Sequence, residues 1–317
     1  EEARERIPMT PDLLKIKKER DEQIEAIIDG RDKRKLIIMG PCSADNEDAV
    51  VDYVTRLARL AEEVKDKFLV MPRIYTGKPR TKGEGYKGMM HSPDPHSKNT
   101  DIEGGILHLR HMHIRAIRES GLTAADEMLY PDNLDYVLDI LSYIAVGARS
   151  AENQQHRLVA SGIDVPVGIK NPMNGSFPVT LNSIYAAQIP NEFKYGGYQV
   201  KTTGNKYAHA VLRGSVNVYG NNIPNYHYED VVRFHAMYMQ QGLANPAVII
   251  DTNHSNSGKN PYEQIRIAKE IFGNMIYPDF NSMVKGLLIE SYIKDGNQSV
   301  DGCEYGKSVT DACLGWE

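Results

Sequence analysis

Four side chains far apart in the chain have the chemistry of a divalent-metal site. Cys42 follows LIIMGP, His254 ends AVIIDTNH, Glu290 ends KGLLIE, and Asp311 lies in the closing YGKSVTDACLGWE. One thiolate, one imidazole and two carboxylates suit a borderline ion such as Mn²⁺, Fe²⁺, Co²⁺ or Zn²⁺ better than the all-oxygen shell of Ca²⁺. Each ligand alone has a plainer explanation, since a strand-end cysteine usually packs and a lone acid is usually a surface charge. A second set is basic. Arg73, Arg149, Lys170 and Arg213 each end an apolar run, and guanidinium forks beside an ammonium can clamp the phosphate and carboxylate of one small molecule. Lys78-Pro79-Arg80-Thr81 offers another anion site, two cations flanking a proline that fixes local geometry, with a hydroxyl after them. Taken alone, that tetrapeptide would be a solvated basic loop. Two anionic ligands beside a Lewis-acidic metal point to condensation or cleavage of phosphorylated carbon compounds.

The elements that carry these residues follow one grammar. LIIMG, FLVMPR, TAADE, YIAVGAR, VPVGIK, AHAVLR, AVIIDTNH and KGLLIE are about eight short apolar runs, each ending on or beside a charged or metal-binding residue. Helical spacing separates them, so the chain is expected to form an α/β protein, a (β/α)8 TIM barrel with its function at the carboxyl ends of the strands. In a closed barrel the first, seventh and eighth strands are neighbours, as are the fourth, fifth and sixth. That order would gather the four ligands on one side and the basic clamp on the other. Residues 1–34 read as an arm and one helix, starting at Thr10-Pro11-Asp12 and stopping at Gly30, with residues 35–317 as the catalytic barrel. The arm's plain role is a plug of the barrel bottom or a subunit contact. Crossover helices are expected over 45–63, 101–120, 133–142, 179–187, 228–241 and 261–271, with a shorter one ending at Gly162. Residues 192–208 break the alternation and suggest a short inserted hairpin before strand six. A last helix after strand eight is expected of a whole barrel and is missing from the sequence as given. His108, His111 and His113, at i, i+3 and i+5, do not share one helix face and no acid or thiol joins them, so they are not read as a metal cluster.

Composition narrows the function. With 41% hydrophobic and 25% charged residues, the 317-residue chain fits an ordinary globular enzyme. The net charge of −5 disfavours a nucleic-acid partner, and an acidic protein with cations gathered at its strand ends is built for a compact anion. No apolar run is long enough to span a membrane, and three irregularly spaced cysteines fit a reducing compartment, so a cytoplasmic protein without membrane contact is expected.

GPCS (Gly40 to Ser43), KPRT (Lys78 to Thr81), GAR (Gly147 to Arg149), GIKN (Gly168 to Asn171), LRG (Leu212 to Gly214), DTNHSNS (Asp251 to Ser257), IESYIKDGNQ (Ile289 to Gln298) and the closing YGKSVTDACLGWE together resemble the type I 3-deoxy-D-arabino-heptulosonate 7-phosphate (DAHP) synthases. The resemblance runs from about Lys35 to the last residue in eight ordered matches. It implies a transferase that condenses phosphoenolpyruvate with erythrose 4-phosphate at the first step of the shikimate pathway. It also implies a divalent metal ion, Mn²⁺ first, with Fe²⁺, Co²⁺ or Zn²⁺ as alternatives. Carried over by position, it gives Cys42, His254, Glu290 and Asp311 to the metal. Arg73, Glu127, Ala148, Arg149, Lys170 and Arg213 go to phosphoenolpyruvate; Pro79, Arg80 and Thr81 go to erythrose 4-phosphate. Lys78 is shared between the two as the candidate general acid. The family implies a homodimer or homotetramer and an aromatic amino acid effector, although the arm and the hairpin on which effector sites are built look short here. Cys313, two residues past Asp311, is expected to pair with Cys42 on oxidation. The nearest competing activity is that of 3-deoxy-octulosonate 8-phosphate synthase, against which KPRT argues. A barrel without catalysis is disfavoured because every ligand and clamp residue is present.

Overall fold

In the computed structural model the chain is described over residues 2–80, 84–97 and 99–317. The strands, in chain order, are β1 (Lys35–Gly40), β2 (Phe68–Pro72), β3 (Ala125–Glu127), β4 (Tyr143–Val146), β5 (Val167–Lys170), β6 (Glu192–Tyr195), β7 (Tyr198–Lys201), β8 (His209–Leu212), β9 (Ser215–Val216), β10 (Asn222–Ile223), β11 (Val248–Asp251) and β12 (Val284–Glu290). The helices are α1 (Glu2–Arg6), α2 (Pro11–Ile28), α3 (Glu47–Val64), α4 (Ile102–Ser120), α5 (Gln154–Ala160), α6 (Phe177–Gln188), α7 (Tyr228–Gln240), α8 (His254–Ser257), α9 (Glu263–Asn274) and α10 (Pro278–Met283).

Eight strands form one parallel sheet in the order β2-β1-β12-β11-β8-β5-β4-β3. A parallel bridge from Arg73 to Ala125 joins the two ends, and the Ile74 amide donates to the Ala125 carbonyl at 2.9 Å. The sheet is therefore a (β/α)8 barrel. β4, β5, β8 and β11 are buried at every position, because helices cover the outside and side chains fill the inside. The interior layers are tight. A Cβ on Gly168 would lie 1.9 Å from the Tyr143 hydroxyl, so only glycine leaves room for that ring. The Tyr143 hydroxyl in turn meets His209 Nε2 at 2.8 Å.

α2 closes the bottom of the barrel. Ile24 and Ile27 belong to the same apolar cluster as the inward-facing Leu36, Met71, Tyr143, Val211, Ile249 and Leu288, which fits the plug reading of the arm. The crossover helices start where capping chemistry places them. Asn46 accepts from the Ala49 amide at 2.9 Å ahead of α3, and Asp101 accepts from the Gly104 amide at 2.9 Å ahead of α4. The helix expected over 133–142 is instead a 3₁₀ stretch, Pro131–Tyr136. Its reason is local: the buried Arg110 guanidinium takes the Tyr136 carbonyl at 2.5 Å and the Asp139 carboxylate at 2.8 and 3.0 Å. The Ile140 amide consequently bonds to Val137. β6 and β7 pair antiparallel as a hairpin outside the barrel. Among the described residues no helix is long and apolar enough to cross a membrane.

Candidate active site

The carboxyl ends of the barrel strands meet around a cavity of about 330 Å³. On one side of it, Cys42 after β1, Glu290 at the end of β12 and Asp311 in the closing segment hold ligand atoms within 4.8 Å of one another. His254, just past β11, joins this group at one edge, with Nε2 3.6 Å from Glu290 Oε1. Its Nδ1 donates to the Asp251 carboxylate at 2.7 Å, which leaves the Nε2 lone pair facing inward. Burial lowers the His254 pKa despite Asp251 and Glu290, so the ring is neutral and able to ligate. A left-handed backbone at His254 (φ 46) aims it there, an unfavourable conformation for a residue with a Cβ.

These residues fit a divalent cation on their own geometry. Glu290 is fully buried. Its Oε2 accepts from Asn253 Nδ2 at 2.8 Å, but Oε1 has no hydrogen-bond partner while a neutral imidazole nitrogen faces it. Arg73 Nη2 forms an ion pair with that oxygen at 3.2 Å. Burial, with Glu290 adding to it, pushes the Cys42 thiol up, although Lys78 Nζ lies 2.6 Å from the sulfur. A thiolate at Cys42 therefore needs more positive charge than Lys78 brings. Burial disfavours the charges of Glu290 and Asp311, yet neighbouring cations outweigh it and both carboxyls are lowered. The two carboxylates are thus ionised and the imidazole neutral, and with the Cys42 sulfur they offer the mixture of sulfur, nitrogen and oxygen donors that borderline metals prefer.

The other side of the cavity is cationic. Arg73, Lys78, Arg80, Arg149, Lys170, Arg213 and Lys259 line it against two acids, Glu127 and Asp311, with Pro79 and Ala148 in the wall. Seven positive side chains in one recess of an acidic protein make an anion site. Every residue expected at the substrates lines this cavity except Thr81, which lies outside the described residues. Arg73 grips the Pro41 and Cys42 carbonyls at 3.0 Å each and stacks on Tyr75 with Cζ 3.7 Å from the ring centre. Its Nη1 is buried without a hydrogen-bond partner, a donor available to a bound anion. Lys170, 4% exposed, stands 3.7 Å from Glu127 and 4.0 Å from Asp251. Burial lowers the pKa of Lys170 and Arg213 despite these acids, so both gain from an anionic ligand. Burial also disfavours the charge on Lys78, but Cys42, Glu290 and Asp311 outweigh it and its pKa is raised.

Sequence reasoning missed four participants. Asp251 orients His254 and balances Lys170; the i, i+3 spacing of an acid and a histidine at a strand end could have shown it. Asn253 holds Glu290. Tyr75 is the platform under Arg73. Lys259 reaches Asp311 Oδ1 at 3.1 Å from a left-handed turn formed by Gly258 (φ 61) and Lys259 (φ 63), a shape that Gly-Lys only hints at. His108 and His111 face Glu47 at 3.6 and 3.1 Å, and none of the three lines the cavity.

The family model for the DAHP synthetase I family matches residues 14–317. The Tyr-sensitive phospho-2-dehydro-3-deoxyheptonate aldolase of Salmonella typhimurium is 37% identical over 304 residues, covering 93% of this chain and 82% of that protein. The Phe-sensitive protein of the same name from Escherichia coli is 36% identical over 323 residues, covering 99% and 88%. The Trp-sensitive one from Escherichia coli is 32% identical over 324 residues, covering 98% and 88%. Among solved structures, the phospho-2-dehydro-3-deoxyheptonate aldolase of Francisella tularensis superposes with a TM-score of 0.91 at 29% identity, covering 99% of this chain and 91% of that one.

Proposed function

The chain belongs to the DAHP synthetase I family, and on that premise we propose that it condenses phosphoenolpyruvate with erythrose 4-phosphate, using one divalent metal ion. As a DAHP synthase it is a transferase at the first step of aromatic biosynthesis. The observation that carries the finer reading is the meeting of two opposite charge classes on one cavity. A converging Cys42, His254, Glu290 and Asp311 set, with a buried and unbonded Glu290 oxygen, borders a recess lined by seven cations.

Cys42, His254, Glu290 and Asp311 would hold the ion, Mn²⁺ first among the candidates, and when bound it supplies Lewis acidity at the aldehyde oxygen. The remaining work belongs to the chain. Arg149, Lys170, Arg213 and the free edge of Arg73 hold the phosphate and carboxylate of phosphoenolpyruvate, and Glu127 with Ala148 completes that wall. Pro79, Arg80 and Thr81 hold the sugar phosphate. C3 of phosphoenolpyruvate attacks the aldehyde carbon, and the aldehyde oxygen takes its proton from Lys78 Nζ, a cation kept charged by the acids around it. Water then adds at C2 and gives up one proton, replacing the one Lys78 gave; the C2–O bond to phosphate breaks as the new C2 hydroxyl becomes a carbonyl, and its proton leaves with the phosphate.

Relatives named for sensitivity to Tyr, Phe and Trp support an aromatic amino acid as effector here, and the same family supports a homodimer or homotetramer. The decisive assay is phosphate release from phosphoenolpyruvate after strict chelation. Erythrose 4-phosphate plus Mn²⁺ should restore turnover, and arabinose 5-phosphate should not. Turnover without any divalent ion, or a preference for the five-carbon sugar, would overturn the reading.

A further inference from the structure

We infer that Asp126 is a positioning residue that fixes Lys78 and Glu127 relative to one another across the pocket. The inference rests on the substrate roles proposed above for those two residues. Between β2 and β3 the barrel closes through little backbone, namely the Arg73 to Ala125 bridge and the Ile74 amide on the Ala125 carbonyl. One step further along, a side chain does what a ladder would do. Asp126 Oδ1 accepts the Thr76 amide at 3.0 Å and the Glu127 amide at 2.7 Å, and Oδ2 accepts the Thr76 hydroxyl at 2.5 Å.

The placement matters because of what adjoins it in the chain. Thr76 stands two residues before Lys78, and Glu127 follows Asp126 directly. The carboxylate is 3% exposed and Thr76 is 2% exposed, and neither Asp126 nor Thr76 lines the substrate cavity. Behind it lies His113 of α4, 1% exposed, whose Nε2 is 3.7 Å from Asp126 Oδ2 and has no hydrogen-bond partner. Among the described residues no lysine or arginine forms an ion pair with Asp126, so its buried oxygens are committed to Thr76 and Glu127. Glu127 lies against the Gly147 backbone, where a Cβ would come within 2.6 Å of its Oε1, and Lys170 stands 3.7 Å away. A shift at Asp126 therefore reaches Lys78 on one side and Glu127 on the other through one or two peptide units. Misplacing reacting groups by about 1 Å can cost roughly a hundredfold in rate.

A plain seam staple would support stability without touching substrate affinity, and the two roles separate experimentally. Thr76→Val removes the hydroxyl while keeping its volume and both amide bonds. Asp126→Asn keeps an oxygen acceptor for the two amides, and Asp126→Ala removes everything. Mn²⁺-loaded enzymes are compared in kcat and KM for each substrate, in melting temperature, and in Mn²⁺ affinity by the paramagnetic signal of the free ion. The expected losses in kcat/KM, with both substrates, are about a hundredfold for Asp126→Ala and about tenfold for Thr76→Val. Asp126→Asn should recover most of the Asp126→Ala loss. Mn²⁺ affinity should stay within about twofold throughout, because the ligands sit on other segments. Wild-type kinetic constants in a folded Thr76→Val and a folded Asp126→Asn overturn the inference even where Asp126→Ala fails to fold. So does a loss in Asp126→Ala that Asp126→Asn leaves unrecovered. A wild-type enzyme that releases no phosphate from the two substrates would instead refute the functional reading, and the inference with it.

Discussion

Two buried titratable side chains should give this barrel opposite and separable responses to acid. His209, fully buried in the barrel interior, donates Nδ1–H to the Tyr207 carbonyl at 2.8 Å and meets the Tyr143 hydroxyl through Nε2 at 2.8 Å; burial keeps it neutral against the Tyr207 bond, which favours the charged form. Burial lowers its pKa from 6.5 to about 4. Between those values the unfolded chain takes up a proton that the folded chain refuses, so stability falls as pH falls through that window, by about 3 kcal/mol in all. Asp45, 8% exposed, behaves in reverse. Burial raises its pKa from 3.8 to about 6, against the opposing hydrogen bond from the Tyr292 hydroxyl, which donates to it at 3.0 Å. The folded chain takes up this proton first, so acidification from about pH 6 to 3.8 adds stability, again by about 3 kcal/mol. Urea unfolding at pH 7 and pH 4.5 on the wild type, His209→Gln and Asp45→Asn separates them. On going to pH 4.5, His209→Gln should lose about 2–3 kcal/mol less than the wild type, and Asp45→Asn about 2 kcal/mol more. Parallel pH responses in all three proteins would refute the burial argument for both residues.

Three further outcomes follow from the site. Glu290→Gln unpairs the buried Arg73, which stands 3.2 Å away, and should lower stability by roughly 3–5 kcal/mol. It should also abolish the rise in melting temperature that Mn²⁺ gives the wild type; an unchanged Mn²⁺ shift would remove Glu290 from the ligand set. Lys78→Met should lower kcat by about 10²–10⁴-fold while phosphoenolpyruvate still protects Arg213 from a guanidinium-modifying reagent, and a kcat near wild type would dismiss Lys78 as the acid. In chelated enzyme carrying Cys303→Ser, hydrogen peroxide should oxidise Cys42 and Cys313 to one intramolecular disulfide with loss of both thiols, because the Cys42 amide already meets Cys313 Sγ at 3.4 Å. Two thiols still titrating after oxidation would contradict this.

The fold was legible because a parallel barrel announces itself through strands buried on both faces, each stopping at a residue that cannot be buried cheaply. Arg73, Lys170, Arg213 and Glu290 are such stops, and each is nearly or wholly buried at the rim. What the sequence could not show was the partner that makes burial tolerable. Asp251 beside Lys170 and His254, Asn253 beside Glu290, and Asp126 beside Thr76 are short polar residues whose value comes from tertiary contact alone. The segment over 133–142 misled for a similar reason. Its spacing suits a helix, but Arg110 of α4 takes a carbonyl that the helix would have needed. The left-handed backbone at His254 was equally hidden, since no glycine marks it, and Gly258 gave only a partial sign of the turn that carries Lys259.

Arg73 shows why the two halves of the site cannot be understood separately. One edge of its guanidinium is tied to the strand-one segment that carries Cys42, through the Pro41 and Cys42 carbonyls, and to Glu290 of the metal set. The Tyr75 ring supports its face, and Nη1 remains for the anion pocket. Burial disfavours this charge, and Glu290 followed by Tyr75 and Cys42 more than restores it, so the pKa ends above the ordinary value. A planar group with donors on three sides can serve a metal-ligand carboxylate and a substrate anion at once, whereas an ammonium at this position would satisfy only one direction at a time. Positive charge arriving among Cys42, His254, Glu290 and Asp311 would weaken the hold of Glu290 on Arg73 and leave the guanidinium more strongly disposed toward an anion. On the proposed function, linkage would then tie the two halves together: a cation held by the ligand set would favour an anion in the pocket, and the bound anion would favour the cation.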